Sequence, residues 1–124
     1  MNQKAVEYLN VIAQAIYDKK GINILGLNVS DISTMSDYVV IAEGNIDRHV
    51  KALSRAIRHA LEPLGLLPMH VDGEKLGDWV VMDYGETVIH LFTPNMRERY
   101  ELEELWRQAA IIDFKIIVRS TGEA

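Results

Sequence analysis

The apolar positions of this chain change period along its length, and the changes mark its elements. Val6, Leu9, Ala13 and Ile16 recur at three- and four-residue steps, which predicts an opening helix capped by Asn2 and ended by Lys19, Lys20 and Gly21. The period then shortens to two. Leu25, Leu27 and Val29 alternate with Ile24, Gly26 and Asn28, so a strand with one fully buried face and a weaker second face is expected before the turn-rich stretch Ser30 to Ser36. Asp37 to Ala42, DYVVIA, is a short apolar run rich in β-branched residues, as a central strand covered on both faces requires. Glu43-Gly44-Asn45 breaks this run. Asn45 is placed to cap a long helix whose apolar positions are Ile46, Val50, Leu53, Ile57, Ala60 or Leu61, and Leu64, with Gly65 closing it.

In the second half, Leu66 to Val71 reads as a strand that Pro68 confines to an edge, because proline cannot donate to a ladder. The stretch from Gly77 to Trp106 is the densest in signal. Trp79, Val81 and Asp83 face one way and Val80, Met82 and Tyr84 the other; Tyr84-Gly85 turns the chain, and Thr87 to Phe92 returns as a hairpin partner. Thr93 and Pro94 suit the start of a short helix, and Glu101 to Trp106 makes a second turn. The order helix, strand, strand, helix, three strands, helix predicts an α/β fold: a single-layer mixed β-sheet of about five strands with helices packed on it. Its last three strands are joined by connections too short for parallel crossovers.

Beyond Trp106 the pattern weakens, which separates a domain over 1–106 from a tail over 107–124. Ile111, Ile112, Phe114, Ile116, Ile117 and Val118 suit either a flexible tail or one more strand, the strand pairing with an open edge of this or another chain. An open edge would also let the chain self-associate as a homodimer.

Composition narrows the function classes. With 124 residues the chain has room for one domain with a real core, and 48% hydrophobic and 25% charged residues are ordinary for a globular protein. The absence of cysteine removes disulfides, thiolate metal sites and a cysteine nucleophile. The first twenty residues lack the continuous apolar core of a signal peptide, and no run approaches the roughly 18 apolar residues of a membrane span, so a cytoplasmic protein is expected. A net charge of −5 argues against general affinity for nucleic-acid phosphate. Arg48, Lys51, Arg55 and Arg58 nonetheless line one side of the second helix. Such a stripe suits a solvated face or, more specifically, a contact with RNA or an acidic protein.

Candidate chemistry is sparse. No Asp-x-Asp occurs; Asp72-Gly73-Glu74 is the nearest carboxylate pair, and Glu101 and Glu103 fall on different sides of a helical stretch. Gly44-Asn45 precedes a helix that could receive an anion, but Asp47 in its first turn opposes one. His49 and His59 stand ten apart, and His70 and His90 sit singly on strands, so no metal spacing is present. No cofactor, metal or catalytic set is expected.

Asp37, Gly44, Arg48-His49-Val50, Gly73-Glu74, Asp78 to Asp83, Gly85, Val88-Ile89-His90, Arg97, Arg99-Tyr100, Leu102-Glu103 and Leu105-Trp106, in that order and spacing, resemble the Iojap-like ribosomal silencing factors. The resemblance spans about residues 4 to 106. Asp72 stands where that family usually has Glu, and Glu86 where it usually has Asp. The resemblance implies a nucleotidyltransferase-like topology without the catalytic carboxylates. It also implies a non-enzymatic function: binding the large ribosomal subunit through its protein L-fourteen, blocking the small subunit and repressing translation in starvation. On that reading the partner-binding residues are Trp79, Asp83, His90, Tyr100, Glu103 and Trp106, since aromatics supply anchor area and acids pair with a basic ribosomal protein. Trp79, Leu102 and Trp106 are equally suited to the core, whereas Tyr100, Glu103 and Asp83 are expected at the surface. The basic stripe Arg48, Lys51, Arg55 and Arg58 would reach ribosomal RNA. The competing class is a small nucleotidyltransferase-like, nucleotide-binding enzyme.

Overall fold

In the computed structural model, which describes residues 1–118, the chain forms α1 (Gln3–Asp18), β1 (Ile22–Asn28), β2 (Tyr38–Glu43), α2 (Asp47–Leu61), β3 (His70–Asp72), β4 (Trp79–Asp83), β5 (Thr87–Phe92), α3 (Pro94–Tyr100) and β6 (Ala110–Ile111). Two 3₁₀ turns, Glu62–Leu64 and Leu102–Trp106, extend α2 and follow α3. The strands make one mixed sheet in the order β3-β4-β5-β2-β1-β6, in which only β2 and β5 run parallel. The predicted α/β class and sheet are therefore present, with a sixth strand supplied by the segment after Trp106.

Alternation along the strands sorts side chains into two layers. Tyr38, Val40, Ala42, Val80, Met82, Ile89 and Leu91 point to one face, where α1 and α2 cover them with Leu9, Ile12, Ile16, Val50, Leu53, Ile57 and Leu61. Val39, Ile41, Leu27, Val29 and Phe92 form a smaller cluster on the other face, with Trp79, Met96, Leu102, Trp106 and Ala109 packed against it. Apolar up to its closing Glu43, β2 is buried at every position, as its composition predicts for a central strand.

Asn2 caps α1 as expected, its Oδ1 accepting the Ala5 N–H at 2.8 Å. At the other end the left-handed residue is Lys20 (φ 65°), not Gly21. Gly21 is needed for space instead, because a Cβ there would overlap the Ile16 side chain. Further along, the Tyr8 hydroxyl donates to Glu86 Oε1 at 2.6 Å and accepts from Thr87 Oγ1 at 2.7 Å, which ties α1 to the β4–β5 turn. Burial and the Glu86 hydrogen bond hold that phenol well above its usual range.

Three local expectations are corrected. Asn45 does not cap α2: Ile46 occupies the cap position without a side-chain bond, and His49 Nδ1 accepts the Asn45 N–H at 2.9 Å while its Nε2 meets Lys19 O at 2.7 Å. The His49 ring thereby links the chain before α2 to the end of α1. Next, β3 begins at His70, not Leu66; Leu67 and Met69 lie exposed in the connection where Pro68 interrupts pairing. Finally, Ile46 and Leu64, read as core positions, are exposed, because Ile46 is the cap residue ahead of α2 and Leu64 lies past its end at Leu61.

The segment after Trp106 follows the outer edge of β1. Leu27 pairs with Ile111 and Asn28 with Ala110, and Ile112, buried, donates its N–H to Gly26 O at 2.8 Å. The chain then crosses α1, where Asn10 Oδ1 accepts Lys115 N–H at 2.9 Å. The Gln14 amide both accepts from Ile117 N–H (2.7 Å) and donates to its carbonyl (3.0 Å).

Candidate functional site

The β4–β5 hairpin and the α3 segment set the geometry of the second face. In the antiparallel register Trp79 opposes Phe92 and Val81 opposes His90, so Trp79, His90 and Phe92 project together away from α1 and α2. Pro94 starts α3 immediately after β5, and the left-handed Glu101 (φ 44°) turns the chain into Leu102–Trp106. This turn folds Tyr100 and Trp106 back over the sheet. Ring centroids lie 4.9 Å apart for Trp79–Phe92, 5.1 Å for Trp79–Tyr100, 6.2 Å for His90–Phe92 and 6.3 Å for His90–Trp106. These separations fall in the range of favourable aromatic contact. Tyr100, at 51% exposure, presents the cluster to solvent, and Leu105 beside it is 71% exposed. Trp79 and Trp106 are half-buried, serving the core and the surface at once.

Electrostatics differ across this face. Burial among the rings pushes the His90 imidazole down to about 4, so it is neutral at physiological pH. Trp79 Nε1–H donates to its Nδ1 at 3.2 Å. Arg97 of α3 reaches beneath the segment, its NH1 donating to Glu43 Oε2 at 3.1 Å and to Asn23 O at 2.5 Å, and its Nε to Glu103 Oε2 at 3.2 Å. Glu43 is only 8% exposed, so this guanidinium is the counter-charge that lets a carboxylate end an apolar strand. The exposed Glu98, Glu101 and Glu104 edge the same segment.

Of the six residues singled out from sequence, the structure brings Trp79, His90, Tyr100 and Trp106 into one cluster. Glu103 lies beside them, but it turns inward to Arg97, and its Oε1 is buried without a partner. Asp83 shares the Trp79 face at the far end of β4, four residues and about 13 Å away along the strand, and accepts the Gly85 N–H at 2.8 Å to shape the turn. Phe92 was missed as a member; its place opposite Trp79 follows from hairpin register. Glu43 was missed too, and a lone acid closing an all-apolar strand was its only sequence signal.

The basic stripe divides. Arg48 and Arg55 are exposed on α2, whereas Arg58 pairs with Glu74, which also accepts the Ser54 hydroxyl at 2.7 Å. Lys51 packs over Gly77 in the same β3–β4 loop. Burial pushes the Glu74 carboxyl up, but the hydrogen bonds from Ser54 and Arg58 and the charges of Arg58 and Arg55 outweigh it and hold the group below its usual range. Gly73, at φ 88°, admits no side chain, because a Cβ would overlap the carbonyl of Trp79. Gly73-Glu74 therefore fixes the loop that delivers Trp79. Among the described residues no group of three His, Asp or Glu could hold a metal ion, and no helix is long and apolar enough to cross a membrane.

The sequence profile described as "Ribosomal silencing factor during starvation" matches residues 2–123. The chain belongs to the ribosomal silencing factor family. A ribosomal silencing factor from Bacillus subtilis (strain 168) is 36% identical over 113 residues, covering 91% of this chain and 94% of that protein. A mouse protein named for mitochondrial assembly of the ribosomal large subunit is 36% identical over 74 residues, 57% of this chain and 32% of its own length. A crystal structure of a Chromobacterium violaceum protein superposes with a TM-score of 0.80 at 27% identity, each chain covered in full. For this silencing factor the profile match runs through the β6 segment, past Trp106 where the motif resemblance stopped.

Proposed function

We propose that this silencing factor binds the large ribosomal subunit through its protein L-fourteen, and that its bulk keeps the small subunit from joining. Translation is thereby repressed when nutrients are scarce. The observation that carries the reading is the aromatic cluster Trp79–His90–Tyr100–Trp106, half-open on the sheet face that the α3 segment only partly covers and edged by Glu98, Glu101 and Glu104. Rings that are already packed lose little entropy on binding, and exposed acids complement a basic ribosomal protein. The relatives' names support the ribosome as target, and the mouse relative's name supports the large subunit. Blocking asks for no turnover chemistry. It needs a patch of roughly 800 Å² and a body that clashes with the incoming subunit, in the cytoplasm where subunits meet. Asp83 and Glu103 contribute by shaping the turn and holding Arg97, not as direct contacts.

Sucrose-gradient sedimentation with purified subunits tests this. The chain is expected to migrate with the large subunit and to deplete joined ribosomes. Trp79→Ala and Tyr100→Ala should each weaken co-migration by about tenfold or more while circular dichroism stays native. Undiminished binding by both variants would remove the patch.

A further inference from the structure

His90 sits at the centre of the aromatic cluster, framed by Trp79, Phe92 and Trp106. An indole N–H can only donate, so the Nδ1 that receives Trp79 Nε1–H at 3.2 Å carries no proton. A neutral imidazole then holds its single proton on Nε2. Nε2 makes no hydrogen bond among the described residues, and it is not among the side-chain atoms that are both buried and unpaired, so it keeps some access to solvent. The cluster thus displays one directed, uncharged donor inside a ring of apolar surface. An uncharged donor does not repel a basic partner, as an imidazolium would. On the adjoining segment the exposed Glu98, Glu101 and Glu104 outnumber the exposed Arg99 and Arg107, the last paired with Glu104, and this acidic balance disfavours an approaching carboxylate. The acceptor that fits is therefore a backbone carbonyl of a positively charged protein.

Resting on the proposed ribosomal function, we propose that His90 is a specificity-determining hydrogen-bond donor: Trp79 locks its ring with the proton on Nε2, and the seated partner presents a backbone carbonyl to it. Trp79 then acts twice, as contact area and as the group that sets the tautomer.

Two measurements on the full chain test this. Nitrogen-15 spectra of histidine-labelled protein should show the His90 proton on Nε2, with Nδ1 unprotonated. Affinity for purified large subunits should separate two amide replacements. Gln at position 90 can place a donor near the Nε2 site, whereas Asn can replace only the Nδ1 acceptor. His90→Gln is expected to stay within about threefold of the parent, and His90→Asn to lose about tenfold or more, because a partner carbonyl is left desolvated and unpaired. A proton on Nδ1, Asn binding as tightly as His, or equal losses in two natively folded variants would each overturn the donor assignment while leaving the aromatic patch in place. Failure of the parent chain to sediment with large subunits would overturn the ribosomal reading, and this inference with it.

Discussion

The two faces of the sheet are built from the same strands but hold different kinds of surface. Toward α1 and α2 the strands turn Val40, Ala42, Val80, Met82, Ile89 and Leu91, all fully buried against two long helices. Toward α3 they turn Trp79, Val81, His90 and Phe92, under a seven-residue helix and a 3₁₀ turn that contribute no buried residue of their own. Close packing by aliphatic side chains makes the first face the source of stability. On the second face the rings are half-covered, a histidine is desolvated and a guanidinium is enclosed by carboxylates. A surface ordered before a partner arrives costs less to bind than one ordered by the partner. The covered face thus holds the fold, and the other keeps the proposed contact groups in place.

Breaking the covered face should give the largest effect. Leu53→Ala, at a fully buried α2 position, is expected to lower unfolding free energy by about 3 kcal/mol in urea titrations, while the fraction still folded keeps its affinity for large subunits. A binding loss in excess of unfolding would show the two faces to be coupled.

Acidification sharpens the contrast, because the desolvated histidine lies on the second face. His90 is depressed to about 4 when folded, against about 6.5 when unfolded, so between those values the unfolded chain binds more protons. Its contribution is present above the unfolded value and is lost as pH falls toward the folded one. From pH 7 to pH 5 the cost is about 2 kcal/mol, and His90→Gln should flatten the slope by that amount in urea titrations at the two pH values. An unchanged slope would mean that the ring is not desolvated.

The smallest effect belongs to the outer side of α2. Arg48→Ser and Arg55→Ser, at exposed positions, should each change stability by less than about 0.5 kcal/mol. Sedimentation with the large subunit at 0.1 M salt should also be unchanged. A steep loss confined to these variants would bring ribosomal RNA back as a contact of this stripe.

Much of this architecture was legible along the chain, and what was not has a common cause. The alternation in WVVMD and TVIHLF predicted which residues share a face, and the unbroken apolar run YVVIA predicted a central strand, because side-chain period and burial are local consequences of strand geometry. The Asn2 cap was equally local. Asn45 failed as a cap because α2 begins one residue later, with Ile46 at the cap position, and the Asn45 N–H goes instead to His49, held also by the end of α1. The expected surface role of Glu103 gave way to Arg97, which also answers Glu43 across 54 positions. Asp83 and Trp79 share a strand face, yet face membership says nothing of which end the covering segment leaves open.

The sequence by itself determined the α/β class, the strands and their faces, and through spaced motifs the family. These depend on periodicity and on residue types within a few positions of one another. Only the tertiary structure decided that Phe92 completes the ring cluster, that the chain beyond Trp106 pairs with β1, and that the Trp79 indole donates to His90 Nδ1. Each of those outcomes depends on which distant segments come into contact, and a hydrogen bond or ring contact exists only once burial has brought both partners together.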